Sequence, residues 1–161
     1  IAPGGSSGPA GLRLRAFDAA RAEAELTRIH ALSLAAFSSN HFYQPIALGD
    51  FLASYRPVLG AIDPELVLLA EDAAGELAAF LFALPNYADG QAPKSVILKT
   101  YASRVKGAGS MLANEFHARA QARGFSDVIH ALMHESNLSA LHSDKTGGKV
   151  FRRYALWGGR L

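Results

Sequence analysis

The chain has 161 residues, half of them hydrophobic, and its charged side chains nearly cancel, with a formal net charge of +2. This length and composition suit one globular domain with a sizeable core, and the charge balance argues against nucleic acid as the main partner. The absence of cysteine excludes disulfides and a cysteine nucleophile, so we expect a cytoplasmic protein. No apolar run approaches the roughly 20 residues of a membrane helix, so we expect no membrane partner.

The first eleven residues predict a flexible linker or an expression remnant. The stretch from Ala2 to Gly11 is rich in Gly, Ser and Pro and has no apolar periodicity. The chain begins at Ile1 without a methionine, which we interpret as a piece cut from a longer protein. We therefore expect the folded domain over residues 12–161.

The N-terminal half predicts a strand, two helices and a hairpin. Alternation over residues 12–17 indicates a half-buried strand, and Asp18 can then cap a helix that extends to about Ser38. Residues 40–45 break this helix, and Asp50 can cap a shorter one that ends near Arg56, before a proline. Two apolar runs, residues 66–70 and 77–84, flank a turn and predict a hairpin.

The C-terminal half alternates predicted strands and helices. These are a fourth strand over residues 95–102, a helix stopped by Gly124, a fifth strand over 127–133, a short helix over 137–145 and a last strand over 150–157. Between the fourth strand and its helix, Gly107 and Gly109 allow the backbone to approach a ligand closely. A glycine turn at a helix N-terminus can bind phosphate, although an ordinary strand-to-helix turn fits the same pattern.

Two short motifs resemble those of the GNAT N-acetyltransferase superfamily. Arg104-Val-Lys-Gly107-Ala-Gly109 is similar to its Gln/Arg-x-x-Gly-x-Gly/Ala turn, and Asn137-Leu-Ser-Ala140 to its Asn-x-x-Ala after the fifth strand. The order of elements is similar across nearly all of residues 12–157. The resemblance implies an α/β fold, a single-domain mixed central sheet flanked by helices, with acetyl-CoA or another acyl-CoA as co-substrate.

The resemblance also implies which residues bind the donor. The strand end would pair with pantetheine, and the backbone N–H groups of residues 105–110 would hold the pyrophosphate. The cofactor-binding residues implied in this way are Tyr101, Ala102, Ser103, Arg104, Val105, Lys106, Gly107, Ala108, Gly109, Ser110 and Asn137.

No catalytic acid carries over from the family. Many members have a tyrosine seven residues after the asparagine of the second motif, and here that position is Asp144. Our own candidates are Glu135 as the base, with a solvated loop carboxylate as the alternative, and Tyr154 as the acid, with simple packing or exposure as the alternative. The histidines lack a His-Glu-x-x-His pattern, so we predict no metal site.

The acceptor site is expected in two loops with apolar bodies and polar tips, although loop packing explains these residues equally well. The candidates are Phe37, Asn40, His41, Phe42, Tyr43, Asn86 and Tyr87. The acceptor would be a small-molecule amine or a protein amino group. The alternative to an N-acyltransferase is a catalytically silent domain that binds acyl-CoA as a sensor or interaction module.

Overall fold

The computed structural model describes Pro9 and residues 11–40, 43–131, 133, 143–144 and 147–155. The chain divides into two compact units, residues 1–131 and 132–161. The first unit contains five strands: β1 (Arg13–Ala16), β2 (Val67–Glu71), β3 (Leu77–Pro85), β4 (Ser95–Ser103) and β5 (Asp127–His130). Its α-helices are α1 (Ala22–Phe37), α2 (Leu48–Tyr55) and α3 (Ala108–Ala122).

The five strands form one mixed sheet in the order β1-β2-β3-β4-β5. Neighbouring strands run antiparallel except for the β4–β5 pair, which is parallel and is connected through α3. The apolar runs of β2 and β3 are buried along nearly their whole length, because helices cover both faces of the sheet centre. The predicted α/β fold with a mixed central sheet flanked by helices is therefore confirmed.

Each face of the sheet has its own hydrophobic core. On one face, Leu112 and Phe116 of α3 are completely buried against β2, β3 and β4. On the other face, Leu26 and Ile29 of α1 pack against the sheet, with α2 beside them. None of the helices in the described ranges is both long and apolar enough to cross a membrane.

Helix starts agree with the sequence only in part. The Asp18 carboxylate accepts a hydrogen bond from Ala20 N–H (3.0 Å) in the short 3-10 turn that leads into α1, as predicted. The second helix ends at Tyr55, next to Arg56 as predicted, but the predicted Asp50 cap is wrong, because α2 begins at Leu48 after an extended Ala47. Asp50 therefore lies within the first turn, where its charge still suits the helix N-terminus but its side chain caps nothing.

The predicted last strand is wrong for the part of it that the structure describes. Residues 150–155 contain no strand, and Val150, Phe151 and Tyr154 remain about two-thirds exposed. An apolar sequence forms a strand only where a partner supplies its hydrogen bonds. The strand predicted over residues 127–133 is shorter and ends at His130. Of the short helix predicted over 137–145, only residues 143–144 are described, and both are helical.

An ion-pair network joins β1, β2 and α1. The buried Glu71 carboxylate accepts hydrogen bonds from Arg13, Arg15 and Arg28, each at 2.7 Å. Arg15 also donates to both oxygens of the buried Glu25, at 2.9 and 3.0 Å. The hydrogen bond from Arg15 is the main reason why the pKa of Glu71 lies well below its ordinary value, although burial opposes the shift.

Candidate functional site

The most distinctive backbone feature is the turn of four residues between β4 and α3. Gly107 directly precedes the helix with φ +87° and ψ −19°, a left-handed conformation that glycine adopts without steric cost. It occupies the capping position but has no side chain to bond the helix N–H groups. Helix α3 therefore begins with an N-terminus that no side chain caps, and the helix dipole favours an anion there.

Some backbone N–H groups of this turn and of the first turn of α3 are hydrogen-bonded, and others have no partner among the described residues. Val105 N–H donates to Ser103 Oγ (3.0 Å), and Ala108 N–H donates to Val105 O (3.2 Å). Four other N–H groups make no hydrogen bond with any described residue, those of Lys106, Gly107, Gly109 and Ser110. The turn thus offers four backbone donors beside the positive end of a helix.

Arg104 connects the turn to the β2–β3 hairpin, while its predicted role in binding the donor stays a prediction. Its N–H donates to Ala78 O (3.0 Å), and its guanidinium forms an ion pair with Asp72 (2.8 Å). Asp72 also accepts the N–H of Glu76 (2.9 Å) in the β2–β3 turn. Lys106 forms no ion pair with any described residue, so it is the cation of the turn that remains available.

A β-bulge interrupts β4 four residues before its end. Phe82 lies opposite Thr100 and Ala83 opposite Leu98, so Lys99 has no partner on β3. Along a strand, the backbone N–H and C=O groups of successive residues point to alternate edges. The extra residue shifts this alternation by one, so the backbone groups of each later residue point to the opposite edge. The sequence carries no glycine or proline here, and nothing in its apolar pattern pointed to the bulge.

After the bulge, backbone groups of β4 point toward the edge of the strand where β5 no longer pairs. The N–H of Arg104 donates a hydrogen bond to Ala78 O of β3. Because backbone direction alternates along a strand, the N–H and C=O groups of Ala102 also point toward β3. The N–H and C=O groups of Tyr101 and Ser103 consequently face the opposite edge. Pairing with β5 ends at Leu98, so beyond it this edge has no strand partner within the described residues.

Two close approaches shape the surroundings of the glycines. A Cβ atom at Gly109 would lie 3.5 Å from Cε2 of Tyr101, an ordinary contact, so the first turn of α3 packs on this ring. A Cβ atom at Gly107 would lie 3.5 Å from Cγ of Pro9. One residue of the predicted linker therefore lies beside the glycine turn, while the prediction that residues 1–11 are a flexible linker stays a prediction.

Three predicted acceptor residues, Phe37, Asn40 and Tyr43, lie together at the C-terminal end of α1 and just beyond it. Asn40 N–H donates to Phe37 O (2.9 Å), and Tyr43 N–H donates to Asn40 O (3.1 Å). The rings of Phe37 and Tyr43 are 6.3 Å apart between centroids. His41 and Phe42 lie outside the described residues.

The other two predicted acceptor residues take part in local hydrogen bonds. The Asn86 amide donates to Asp89 Oδ1 and to Ser95 Oγ, both at 3.0 Å. The Tyr87 hydroxyl donates to Ala61 O at 3.1 Å, and its ring is half exposed. These bonds give both side chains a structural role in the β3–β4 connection.

The predicted catalytic pair is only partly described. Tyr154 belongs to the second unit and its side chain is 68% exposed. Glu135 and the predicted donor contact Asn137 lie outside the described residues. Their roles stay predictions.

Two histidines on the α3 face of the sheet form a contact that the sequence did not predict. The rings of His117 on α3 and His130 on β5 are 5.6 Å apart between centroids. Burial lowers the pKa of both imidazoles, and that of His130 is lowered further by His117. Within the described residues, no group of three His, Asp or Glu side chains is placed to hold a metal ion.

The sequence matches no protein-family model and no curated protein. Its structure, however, resembles solved acetyltransferases. An aminoglycoside N-acetyltransferase in complex with CoA aligns over 93% of this chain and 95% of its own, with a TM-score of 0.63 and 16% identity. An aminoglycoside antibiotic 6'-N-acetyltransferase from Acinetobacter baumannii aligns over 94% and 99%, with a TM-score of 0.63 and 16% identity.

A third neighbour is a GCN5-related N-acetyltransferase from Sphaerobacter thermophilus. It aligns over 84% of this chain and 40% of its own, with a TM-score of 0.64 and 18% identity. At such identities the comparison establishes the fold. The GNAT-like fold predicted from the two sequence motifs is therefore confirmed.

Proposed function

We propose that this chain is an acetyl-CoA-dependent N-acetyltransferase. The amine nitrogen of the acceptor attacks the thioester carbonyl, a C–N bond forms, the C–S bond breaks, and the products are an N-acetylated amine and the free thiol of CoA. The observation that carries the proposal is the junction of β4 and α3, where four available N–H groups adjoin a strand edge with no described partner.

The two parts of this junction suit the two parts of CoA. The N–H groups of Lys106, Gly107, Gly109 and Ser110 suit the pyrophosphate, and hydrogen bonds to charged groups contribute about 1.5–3 kcal/mol each. The backbone groups of Tyr101 and Ser103 suit the amides of pantetheine, which would add to the sheet as a strand does. Neighbours of the same fold include a CoA complex, which supports this assignment.

For the chemical step, we propose Glu135 as the base that accepts the proton of the attacking amine and Tyr154 as the acid that protonates the leaving thiolate. Asn137 is proposed as a further donor contact. Holding amine and thioester in attack geometry can itself lower the barrier by about 7–11 kcal/mol, so turnover does not depend on these groups alone. A small-molecule amine is the proposed acceptor class, in line with the aminoglycoside acetyltransferases among the neighbours.

Calorimetry with acetyl-CoA, followed by assay of thiol release with an amine panel, tests the proposal. We expect saturable binding of both acetyl-CoA and CoA, and thiol release that requires an amine. Absence of binding would refute the function. Binding without turnover across small amines and peptides would instead favour the silent sensor.

A further inference from the structure

Lys99 occupies the position where β5 separates from β4. It is the bulge residue of β4, and it directly follows Leu98, the last residue that pairs with β5. It lies two residues, about 7 Å along a strand, before Tyr101, whose backbone faces the open edge. Pantetheine laid along that edge from the glycine turn would carry its thioester toward Lys99.

The Lys99 ammonium is held by aromatic side chains. Its Nζ donates a hydrogen bond to the Tyr55 hydroxyl (2.8 Å) and lies 4.7 Å from the centroid of the same ring. It also lies 5.8 Å from the centroid of Phe82. The Tyr55 ring is fixed in turn by Phe51 and Phe82, with centroids 4.9 and 5.4 Å away. Cation–π attraction therefore positions this charge without neutralising it.

Lys99, like Lys106 at the glycine turn, has no carboxylate partner among the described residues, unlike several arginines around the sheet. Arg15, Arg28 and Arg119 all form ion pairs, whereas Lys99 forms none with any residue in the described ranges. An ammonium has three donors, and the bond to Tyr55 uses one of them. The Tyr55 hydroxyl accepts that bond and keeps its own proton free to donate. The Lys99 ammonium and the Tyr55 hydroxyl together therefore offer several hydrogen-bond donors and one positive charge that no described carboxylate neutralises.

We propose that Lys99 and Tyr55 bind a carboxylate of the acceptor, so that the acceptor is an amino acid or another amine that carries a carboxylate. This rests on the proposed acetyltransferase function. A carboxylate matches one ammonium in charge and can accept from both side chains. A second ammonium 4 Å away would instead be repelled by about 1–4 kcal/mol, which disfavours polycationic amines such as aminoglycosides.

The test compares each amino acid with its own amide in a thiol-release assay with acetyl-CoA. We expect at least one amino acid to show a kcat/KM about tenfold or more above that of its amide. We expect the aminoglycoside sisomicin, a polycationic amine, to be inactive as an acceptor. In Lys99→Gln this acid-to-amide ratio should fall about tenfold. Comparing the ratio between variants cancels the different intrinsic reactivities of the two amines.

Lys94→Gln is the matched control, because Lys94 is an exposed lysine just before β4 and lies outside the proposed site. It should keep the wild-type ratio. Calorimetry should show that Lys99→Gln binds acetyl-CoA as the wild type does. The inference is overturned if Lys99→Gln keeps the ratio, or if acetyl-CoA binds and only amines without a carboxylate are acetylated. It is equally overturned if neither an amino acid nor any other amine that carries a carboxylate is acetylated, whereas failure to bind acetyl-CoA refutes the proposed function itself.

Discussion

Replacing Gly107 by alanine separates the role of the glycine turn in binding from its role in folding. The residue has φ +87°, so any side chain there strains the backbone. Gly124, just past the other end of α3, has φ +85° and no atom within 4 Å of where a Cβ would lie. Gly124→Ala is therefore a matched control for the strain alone.

The expected magnitudes follow from these geometries. An L-residue in the left-handed region costs about 1–2 kcal/mol, and for a domain of this size that lowers the melting temperature by about 2–8 °C in either variant. At Gly107 the added methyl group would also make an ordinary contact with Pro9 Cγ, at 3.5 Å, and we expect it to obstruct an approaching pyrophosphate. Loss of one hydrogen bond to a charged group, about 1.5–3 kcal/mol, weakens CoA binding about ten- to hundredfold.

Thermal unfolding and calorimetric titration with CoA on the two variants measure both effects. We expect similar losses of stability, with CoA affinity reduced only in Gly107→Ala. A folded Gly107→Ala protein that binds CoA as tightly as Gly124→Ala would refute the placement of the pyrophosphate at this turn.

The remaining predictions concern stability and chemistry. Glu71→Gln, which leaves its three arginines without the carboxylate, should lower the free energy of unfolding by about 3 kcal/mol, whereas Glu23→Gln in an exposed ion pair should cost little. Because the pKa of Glu71 is lowered in the folded state, wild-type stability should fall as the pH drops below the ordinary carboxylate range, and less steeply in Glu71→Gln; equal slopes in denaturant titrations would contradict this. Glu135→Gln should keep acetyl-CoA affinity and lower turnover, and the loss of turnover should shrink at higher pH, where free amine is abundant. Tyr154→Phe should also slow turnover. Full activity of either variant would reject the role proposed for that residue. Truncation before Leu12 should leave the melting temperature nearly unchanged, and a large decrease would show that the preceding segment stabilises the fold.

Local patterns predicted much of the fold because they depend on neighbours in the chain. The apolar runs of the β2–β3 hairpin, and the stripe containing Leu112 and Phe116, identified buried elements directly. The strand predicted over residues 150–157, which is absent from the described part, residues 150–155, failed for the opposite reason. Its apolar residues alternate only imperfectly, and whether they pair depends on a distant strand that the local sequence does not specify.

The candidate site likewise has features that the local sequence predicts and features that depend on distant contacts. The glycines at 107 and 109 and the following helix were visible in the sequence because backbone conformation there depends on residue type. The bulge at Lys99 was not, because it arises from the register between β3 and β4. The contact of Lys99 with Tyr55 joins residues 44 positions apart, and no spacing rule connects them.

A nuclear magnetic resonance titration of the 15N-labelled chain with acetyl-CoA tests the donor site most directly, because it reports on individual backbone N–H groups. We predict saturable shifts of the amides of Lys106, Gly107, Gly109 and Ser110, together with those of Tyr101 and Ser103 on the open strand edge. Saturable binding that leaves these amides unchanged and shifts others would contradict a donor site at the junction of β4 and α3.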